Sequence, residues 1–160
     1  MLSLKSTEIV LLMAPVIDKR LTAIKGKMLG YSDMQYHQMG LDAERFFSMV
    51  MEEKDRYDAF VLLKDAISTA LNEIGERDRK IIESIYFDFA TFQDIADLLG
   101  ASKHTIWRRA SKVVYSLSCR LNLLGITQEF VDEHVAKDEI YVLCDKYFDQ
   151  LASRWKYEQK

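Results

Sequence analysis

The chain has 160 residues, of which 49% are hydrophobic and 29% charged, and its formal net charge is −3. This length fits one compact domain, or a small domain with helical extensions, and is too short for most multidomain enzymes. Because the charges nearly cancel, the whole-chain charge does not by itself point to DNA, an anionic membrane or an acidic substrate. The longest apolar run, residues 9–17, is far shorter than the span of about 20 residues that a membrane helix needs.

The same apolar run does not resemble a signal peptide. Both Lys5 and Glu8 precede it, and no small-residue cleavage pattern follows it. We therefore expect a cytoplasmic protein with no membrane association.

The reactive side chains do not form a recognisable catalytic or metal-binding pattern. Cys119 and Cys144 lie in separate helical segments, which predicts free thiols, and neither His37 nor His134 has a partner at metal-ligand spacing. Glycine-rich phosphate loops and nucleophile motifs are absent. The sequence thus predicts no metal, no cofactor and no enzymatic activity.

Apolar residues recur at spacings of three and four through most of the chain, which predicts an all-α fold. The first helix is expected to begin near Pro15 and to end at Gly30, followed by a loop over residues 30–40. A second helix is predicted to start at Asp42, as the N-cap, and to run towards Glu53.

A third helix is predicted to start at Asp55 or Asp58. Its apolar residues share one face, which must be buried: Phe60, Leu63, Ile67, Leu71 and Ile74. The charge run that precedes it, which includes Glu52, Glu53 and Asp55, is interpreted as a solvated helix face.

Two shorter helices are predicted after Gly75. The first has a charged start over residues 76–80, and its apolar residues are Ile81, Ile82, Ile85 and Tyr86. The second, over residues 92–99, is expected to be capped by Thr91 and Asp94 and to end at Gly100.

Ser102 is predicted to cap a longer helix that reaches Asn122. Its inward residues would be Ile106, Val113, Leu117 and Leu121. A short amphipathic segment from Thr127 contains Phe130, Val131 and Val135. A final helix has an apolar face formed by Ile140, Cys144, Tyr147, Leu151 and Trp155.

Residues 92–111, FQDIADLLGASKHTIWRRAS, have the spacing that a helix-turn-helix requires. Ala96 is small where two helices must approach closely, and Gly100 lies where the turn needs a positive φ. Ile95, Leu99 and Ile106 supply the apolar contacts between the helices. The structural alternative is an ordinary helical hairpin in an all-α core.

With its flanks, the segment ERDRKIIESIYFDFATFQDIADLLGASKHTIWRRASKVVYSL resembles the fourth region of bacterial sigma factors. The similarity covers residues 74–121. Phage transcriptional regulators of the ArpU and RinA kind are similar to that region and of comparable length. The resemblance implies a DNA-binding transcriptional regulator encoded by a phage or another mobile element, with RNA polymerase as a candidate partner.

The chain departs from the sigma-factor pattern at three positions. Arg109 replaces a residue that is commonly a buried Ile, Ala110 follows where a Glu is common, and His104 replaces an acidic reader. These differences imply altered packing around Arg109 and a target sequence other than a standard promoter element.

The charge distribution gives separate support for DNA binding. Residues 98–128 contain no acidic side chain, and five basic residues lie among them: Lys103, Arg108, Arg109, Lys112 and Arg120. A helix in the major groove needs basic side chains facing the phosphates. A solvated basic face without a partner is the alternative.

The position of each residue in the helix-turn-helix predicts its role in DNA binding. The start of the recognition helix points at base edges, so Lys103, His104 and Arg108 are candidates for readout, beside Thr105 and Trp107. Trp107 is equally consistent with covering the core. The hydroxyls of Thr91 and Ser102 are candidates for phosphate contacts, and the remaining backbone contacts are assigned to Arg77, Lys80 and Lys112.

The sequence divides into an N-terminal helical region (1–73), the sigma-like helix-turn-helix (74–121) and a C-terminal helical extension (122–160). Residues 1–73 lack the basic, aromatic-rich polymerase-binding region of a complete sigma factor, and their net charge is −2. The apolar faces of residues 55–74 and 138–157 are predicted to support the DNA-binding unit or to form a homodimer interface. Alternative functions are a small-terminase-like DNA-packaging subunit and a protein-interaction module with a degenerate helix-turn-helix.

Overall fold

The computed structural model describes residues 1–33, 40 and 42–158, and in this part of the chain every regular element is helical. The predicted all-α class is therefore confirmed. A short 3₁₀ turn at Ala14–Val16 joins the first two helices. The α-helices are α1 (Leu4–Met13), α2 (Ile17–Asp33), α3 (Ala43–Glu73), α4 (Glu76–Tyr86), α5 (Phe92–Leu99), α6 (Lys103–Leu123), α7 (Gln128–His134) and α8 (Glu139–Glu158).

Helix α1 was not predicted, because the sequence interpretation took its residues only as an apolar run. Ser3 caps it by accepting a hydrogen bond from the Ser6 amide, and residues 9–13 are all buried. The second half of α1 is apolar on every side and so has no polar face, and its polar first half is too short to show a periodicity of 3.6. Its neighbours in the fold are α4, α6 and α8.

Helix α2 is the second helix of the chain, and both predicted boundaries need correction. Pro15 lies in the 3₁₀ turn before it, and the helix continues through Gly30 to Asp33. A glycine inside a helix costs only about 1 kcal/mol relative to alanine. Packing of Tyr31 against Phe46 on α3 offsets that cost, with ring centroids 6.5 Å apart. The prediction of a loop is wrong for residues 30–33, whereas residues 34–39, including His37, lie outside the described part.

The two helices predicted between Asp42 and Ile74 are one helix, α3. Asp42 is its N-cap, as predicted, and accepts a hydrogen bond from the Arg45 amide at 2.8 Å. The predicted break near Asp55 does not occur, because residues 43–73 contain neither glycine nor proline. The predicted apolar face is buried at Phe60, Leu63, Ile67 and Leu71.

Glu53 corrects the interpretation of the charge run as a solvated face. Glu52 and Asp55 are exposed, but Glu53 is buried and accepts a hydrogen bond from Lys27 Nζ at 2.9 Å. Because α2 and α3 pack along each other, position 53 faces the partner helix. The cation from α2 offsets the desolvation of the carboxylate.

The helices from α4 onward begin and end close to their predicted positions. The core residues predicted for α4 and α6 are buried, and the short segment after Thr127 is α7. The predicted face of α8 contacts the core through one buried residue, Leu151, and partly buried ones: Ile140, Cys144, Tyr147 and Trp155. One hydrophobic cluster includes residues from all three predicted regions, so the apolar faces of α3 and α8 are covered within a single chain.

Cys119 and Cys144 are free thiols, and burial raises the pKa of Cys144 above its ordinary value. No helix among the described residues is long and apolar enough to cross a membrane.

Two buried polar contacts connect distant parts of the chain. Asp138, just before α8, accepts hydrogen bonds from Arg20 Nε at 3.2 Å and Nη2 at 2.9 Å. The Tyr86 hydroxyl on α4 donates to Glu8 Oε1 on α1 at 2.6 Å. Burial raises the pKa of Tyr86, which keeps the phenol protonated as a donor.

We expect Asp138→Ala to lower the free energy of unfolding by about 3 kcal/mol, because Arg20 keeps only its exposed partner Glu139 and the Ile140 amide loses the cap that Asp138 Oδ1 supplies. Urea denaturation measures the loss. Asp149→Ala is the matched control, since its ion pair with Lys5 is exposed and should contribute less than about 1 kcal/mol. Equal losses in the two variants would contradict the importance of the buried contact.

We expect Glu8→Gln to raise the melting temperature at neutral pH. Burial raises the pKa of Glu8 above its ordinary value of 4.5, and the hydrogen bond from Tyr86 only partly opposes this shift. Ionisation of Glu8 thus reduces stability as the pH rises through its raised pKa, while below 4.5 the folded and unfolded states both hold the proton. The gain should disappear in acid, and Glu52→Gln, at an exposed position, should show no such dependence.

Candidate nucleic-acid interface

The α5–α6 pair is defined by its caps. Thr91 Oγ1 accepts from the Asp94 amide at 3.0 Å, and Asp94 Oδ2 accepts from the Thr91 amide at 3.2 Å, which forms the predicted capping box. Gly100 ends α5 with φ of 67°. Ser102 then caps α6 by accepting from the Thr105 amide. The starts of α5 and α6 are therefore both specified by short local hydrogen bonds, and the end of α5 by the left-handed backbone of Gly100.

The outward face of α6 follows from the residues that it buries. Ile106, Ala110 and Leu117 face the core. At about 100° of rotation per residue, the opposite side of the helix is centred on Arg108 and Lys112. The exposed side chains along the first four turns are Lys103, His104, Thr105, Arg108, Arg109, Ser111, Lys112 and Tyr115.

Only part of the predicted basic stretch carries free charge. Arg109 donates from Nε to Asp78 Oδ1 at 2.7 Å and from Nη2 to Asp78 Oδ2 at 2.6 Å. Arg120 donates from Nη1 to Glu73 Oε2 at 2.9 Å. The three remaining cations of the stretch, Lys103, Arg108 and Lys112, have no ion-pair partner among the residues that the structure describes.

Arg109 is exposed and forms an ion pair in place of an apolar contact with the core. Ala110 is buried, whereas Arg109 lies beside it, on the flank of α6 that faces α4. The carboxylate of Asp78 raises the pKa of Arg109 further above its ordinary value through a hydrogen bond and its charge. Arg109 therefore remains charged, and Asp78 is its partner within the chain.

Trp107 lies on the opposite flank and covers the edge of the core. It is half-buried, and it lines a small cavity of about 40 Å³ with Tyr86, Phe92 and Trp155. His104 stacks on it from the preceding turn, with ring centroids 5.8 Å apart and an interplanar angle of 26°. Of the two interpretations of Trp107, the structure therefore supports core packing.

The predicted phosphate contacts lie at different kinds of position. Ser102 is exposed and hydrogen-bonds with the Thr105 hydroxyl at 2.8 Å. Thr91 is half-buried, and its backbone amide donates a hydrogen bond to the carboxylate of Asp94. Arg77 and Lys80 are exposed on α4, where Lys80 pairs with Glu76 at 3.7 Å. A capping hydroxyl that accepts a hydrogen bond can still donate its own proton.

Tyr115 shares the outward face and was not among the predicted site residues. It is 56% exposed and lies seven positions after Arg108, so it is two turns further along the same side of α6. Its phenol can donate to an anionic oxygen. The helical spacing from Arg108 points to Tyr115, but its side chain carries no positive charge, so it is not part of the basic stretch.

The described residues thus form an all-helical protein in which α6 carries exposed basic side chains. Comparison with known proteins finds no matching family model, no matching curated protein and no matching solved structure.

We expect Gly100→Ala to lower the free energy of unfolding by about 1 kcal/mol, because alanine disfavours a left-handed backbone. A Cβ at position 100 would meet nothing within 4 Å, so the cost comes from the backbone alone. Gly26→Ala is the matched control: its Cβ site inside α2 is equally open, and the change should raise stability by about 0.5 to 1 kcal/mol. Effects of the same sign in urea denaturation would contradict this interpretation.

Proposed function

We propose that the protein is a sequence-specific, double-stranded DNA-binding transcriptional regulator, with α5 and α6 as a helix-turn-helix and α6 in the major groove. The observation that carries the proposal is the set of unpaired cations on α6, Lys103, Arg108 and Lys112, together with the exposure of all three. Arg108 and Lys112 share the outward side of α6, and Lys103 lies at its N-terminal end about 140° from Arg108 around the axis, so these cations suit phosphates on both sides of a groove.

The start of α6 gives a second line of support. Helices α4, α5 and α7 each have an acidic residue in the first turn, where it interacts favourably with the helix dipole. Helices α1 and α6 have none. Lys5 in the first turn of α1 is paired with Asp145, whereas α6 begins with Lys103 and His104, and Lys103 has no ion-pair partner among the described residues. Positive charge at this end is unfavourable for the isolated helix, so a local rule is broken without an internal gain, as is typical of functional sites.

The dimensions of α6 also fit the proposal. Its 21 residues correspond to a length of about 31 Å. The first two turns carry the candidates for base readout: Lys103, His104, Thr105 and Arg108. Lys112 and Tyr115 lie further along the same face, where phosphate contacts are expected. Trp107 is assigned to positioning, since its ring covers the core.

The role in transcription is supported by the resemblance of residues 74–121 to the fourth region of sigma factors. In this proposal, acidic flanking regions limit non-specific binding. Residues 1–73 carry a net charge of −2 and residues 122–160 a net charge of −3, while residues 74–121 carry +2. Repulsion between the flanks and DNA leaves more of the affinity to the few side chains at the start of α6.

The proposal is tested by selecting sequences from a random duplex pool with the full-length protein, and then measuring affinity as a function of salt. We expect one enriched sequence and a slope of log affinity against log salt of about −2.7 per chain, from the three cations assigned to phosphate contacts, Arg77, Lys80 and Lys112. A promoter carrying the selected site should then respond to the protein in a transcription assay. The DNA-binding proposal fails if no duplex binds at about 50 mM salt.

Variants on α6 separate readout from phosphate contact. Arg108→Ala should weaken binding to the selected site about tenfold or more and relax its sequence preference, and Arg108→Glu should abolish specific binding. Lys112→Ala should weaken binding to all duplexes equally and reduce the salt slope by about 1. Lys25→Ala, an exposed lysine on α2, is the control and should bind like the unchanged protein. Unchanged affinity in Arg108→Glu would show that α6 does not read DNA.

Light scattering with and without DNA distinguishes the regulator from the packaging alternative. A monomer or dimer is expected for a regulator. A ring of many subunits would instead favour the small-terminase-like function, and DNA binding without sequence preference would count against a regulator.

A further inference from the structure

We propose that Arg109 is a positioning residue: its ion pair with Asp78 fixes α6 against α4, and it does not contact DNA. The second half of this statement rests on the proposed function, whereas the first half concerns the fold alone. In the sequence, Arg109 belongs to the same basic stretch as the cations predicted to face DNA. In the structure, its ion pair with Asp78 separates it from those cations.

The ion pair has the geometry of a specific contact. Two nearly equal hydrogen bonds, of 2.7 and 2.6 Å, join the guanidinium edge to both carboxylate oxygens. Such a fork constrains the distance and the orientation of the two groups together. Asp78 is 16% exposed on its side chain and lies in the first turn of α4, so its position is fixed by that helix.

The surroundings of the pair show why this contact matters. Two clefts, of about 480 and 190 Å³, lie between the start of α4 and α6, and both are lined by Asp78 and Arg109. Both clefts are open to solvent, and the ion pair between Asp78 and Arg109 spans the boundary between α4 and α6 where they lie. A bidentate ion pair at this boundary restricts the angle between α6 and α4.

Arg108 and Arg109 are adjacent in sequence but face different directions. Arg108 lies at the centre of the outward face, and Arg109 is rotated by about 100° towards α4. Exchanging the identities of Arg109 and Asp78 keeps one positive and one negative charge in the region. Arg108 has no ion-pair partner among the described residues, so no equivalent exchange exists for it. This difference provides the test.

The experiment compares Asp78→Arg, Arg109→Asp and the double variant that exchanges the two charges. Each single variant places like charges opposite each other, so both should lower the urea midpoint and weaken duplex binding. The exchanged variant should recover most of the midpoint and bind the selected duplex within about threefold of the unchanged protein, since the contact is restored. A phosphate contact by Arg109 would give the opposite result: a normal midpoint, weak binding and a salt slope reduced by about 1.

A second variant covers the case in which the exchanged pair packs poorly. Arg109→Lys keeps the charge but not the two parallel donors. A positioning role predicts a lower urea midpoint than that of the unchanged protein, and a wider sequence preference at an unchanged salt slope. An unchanged midpoint, with unchanged preference, would overturn the proposal.

The two proposals fail in different ways. If the unchanged protein binds no duplex, the proposed function is wrong, but the urea midpoints still report on the contact between α4 and α6. Three alanine variants test the contact itself: Asp78→Ala, Arg109→Ala and the double variant. If duplex binding of the unchanged protein is normal and the midpoint losses of the two single variants simply add up in the double variant, the positioning role is wrong and the proposed function stands.

Discussion

Burial of α1 is the constraint on which the rest of the fold depends. Five consecutive residues, 9–13, have less than 5% of their surface exposed, and each large apolar side chain contributes about 1.5 to 3 kcal/mol when fully buried. The second half of α1 is apolar on every side and must be surrounded, so α4, α6 and α8 pack around this helix. Their inner faces are thereby defined, and so are the faces that remain towards solvent.

This arrangement determines what α6 presents. Its buried residues, from Ile106 to Leu121, lie in the same hydrophobic cluster as α1, which leaves the side centred on Arg108 and Lys112 exposed. Helix α8 completes the arrangement from the other end of the chain, because Trp155 packs edge-on against Tyr86 at a centroid distance of 6.1 Å. The orientation of the basic face is thus a property of the whole core.

Tertiary structure also decides which basic side chains of this nearly neutral chain carry free charge. Residues 98–128 carry only basic charge in the sequence, yet two of their arginines are paired with carboxylates from earlier helices, Asp78 on α4 and Glu73 on α3. An exposed cation without a partner can bind a phosphate and release the counterions of a polyanion. An arginine in a bidentate ion pair instead holds two helices in a fixed orientation. Sequence alone gives both kinds the same charge.

The sequence by itself determined the all-α class, the caps at Asp42, Thr91 and Ser102, and the end of α5 at Gly100. These features depend on contacts within three or four residues, which a linear sequence displays directly. Tertiary structure decided the features that depend on distant partners: α1 as a helix, α3 as one continuous helix, the burial of Glu53, and the separation of Arg109 from Arg108. In each case the deciding neighbour lies on another helix, so no local pattern could reveal it.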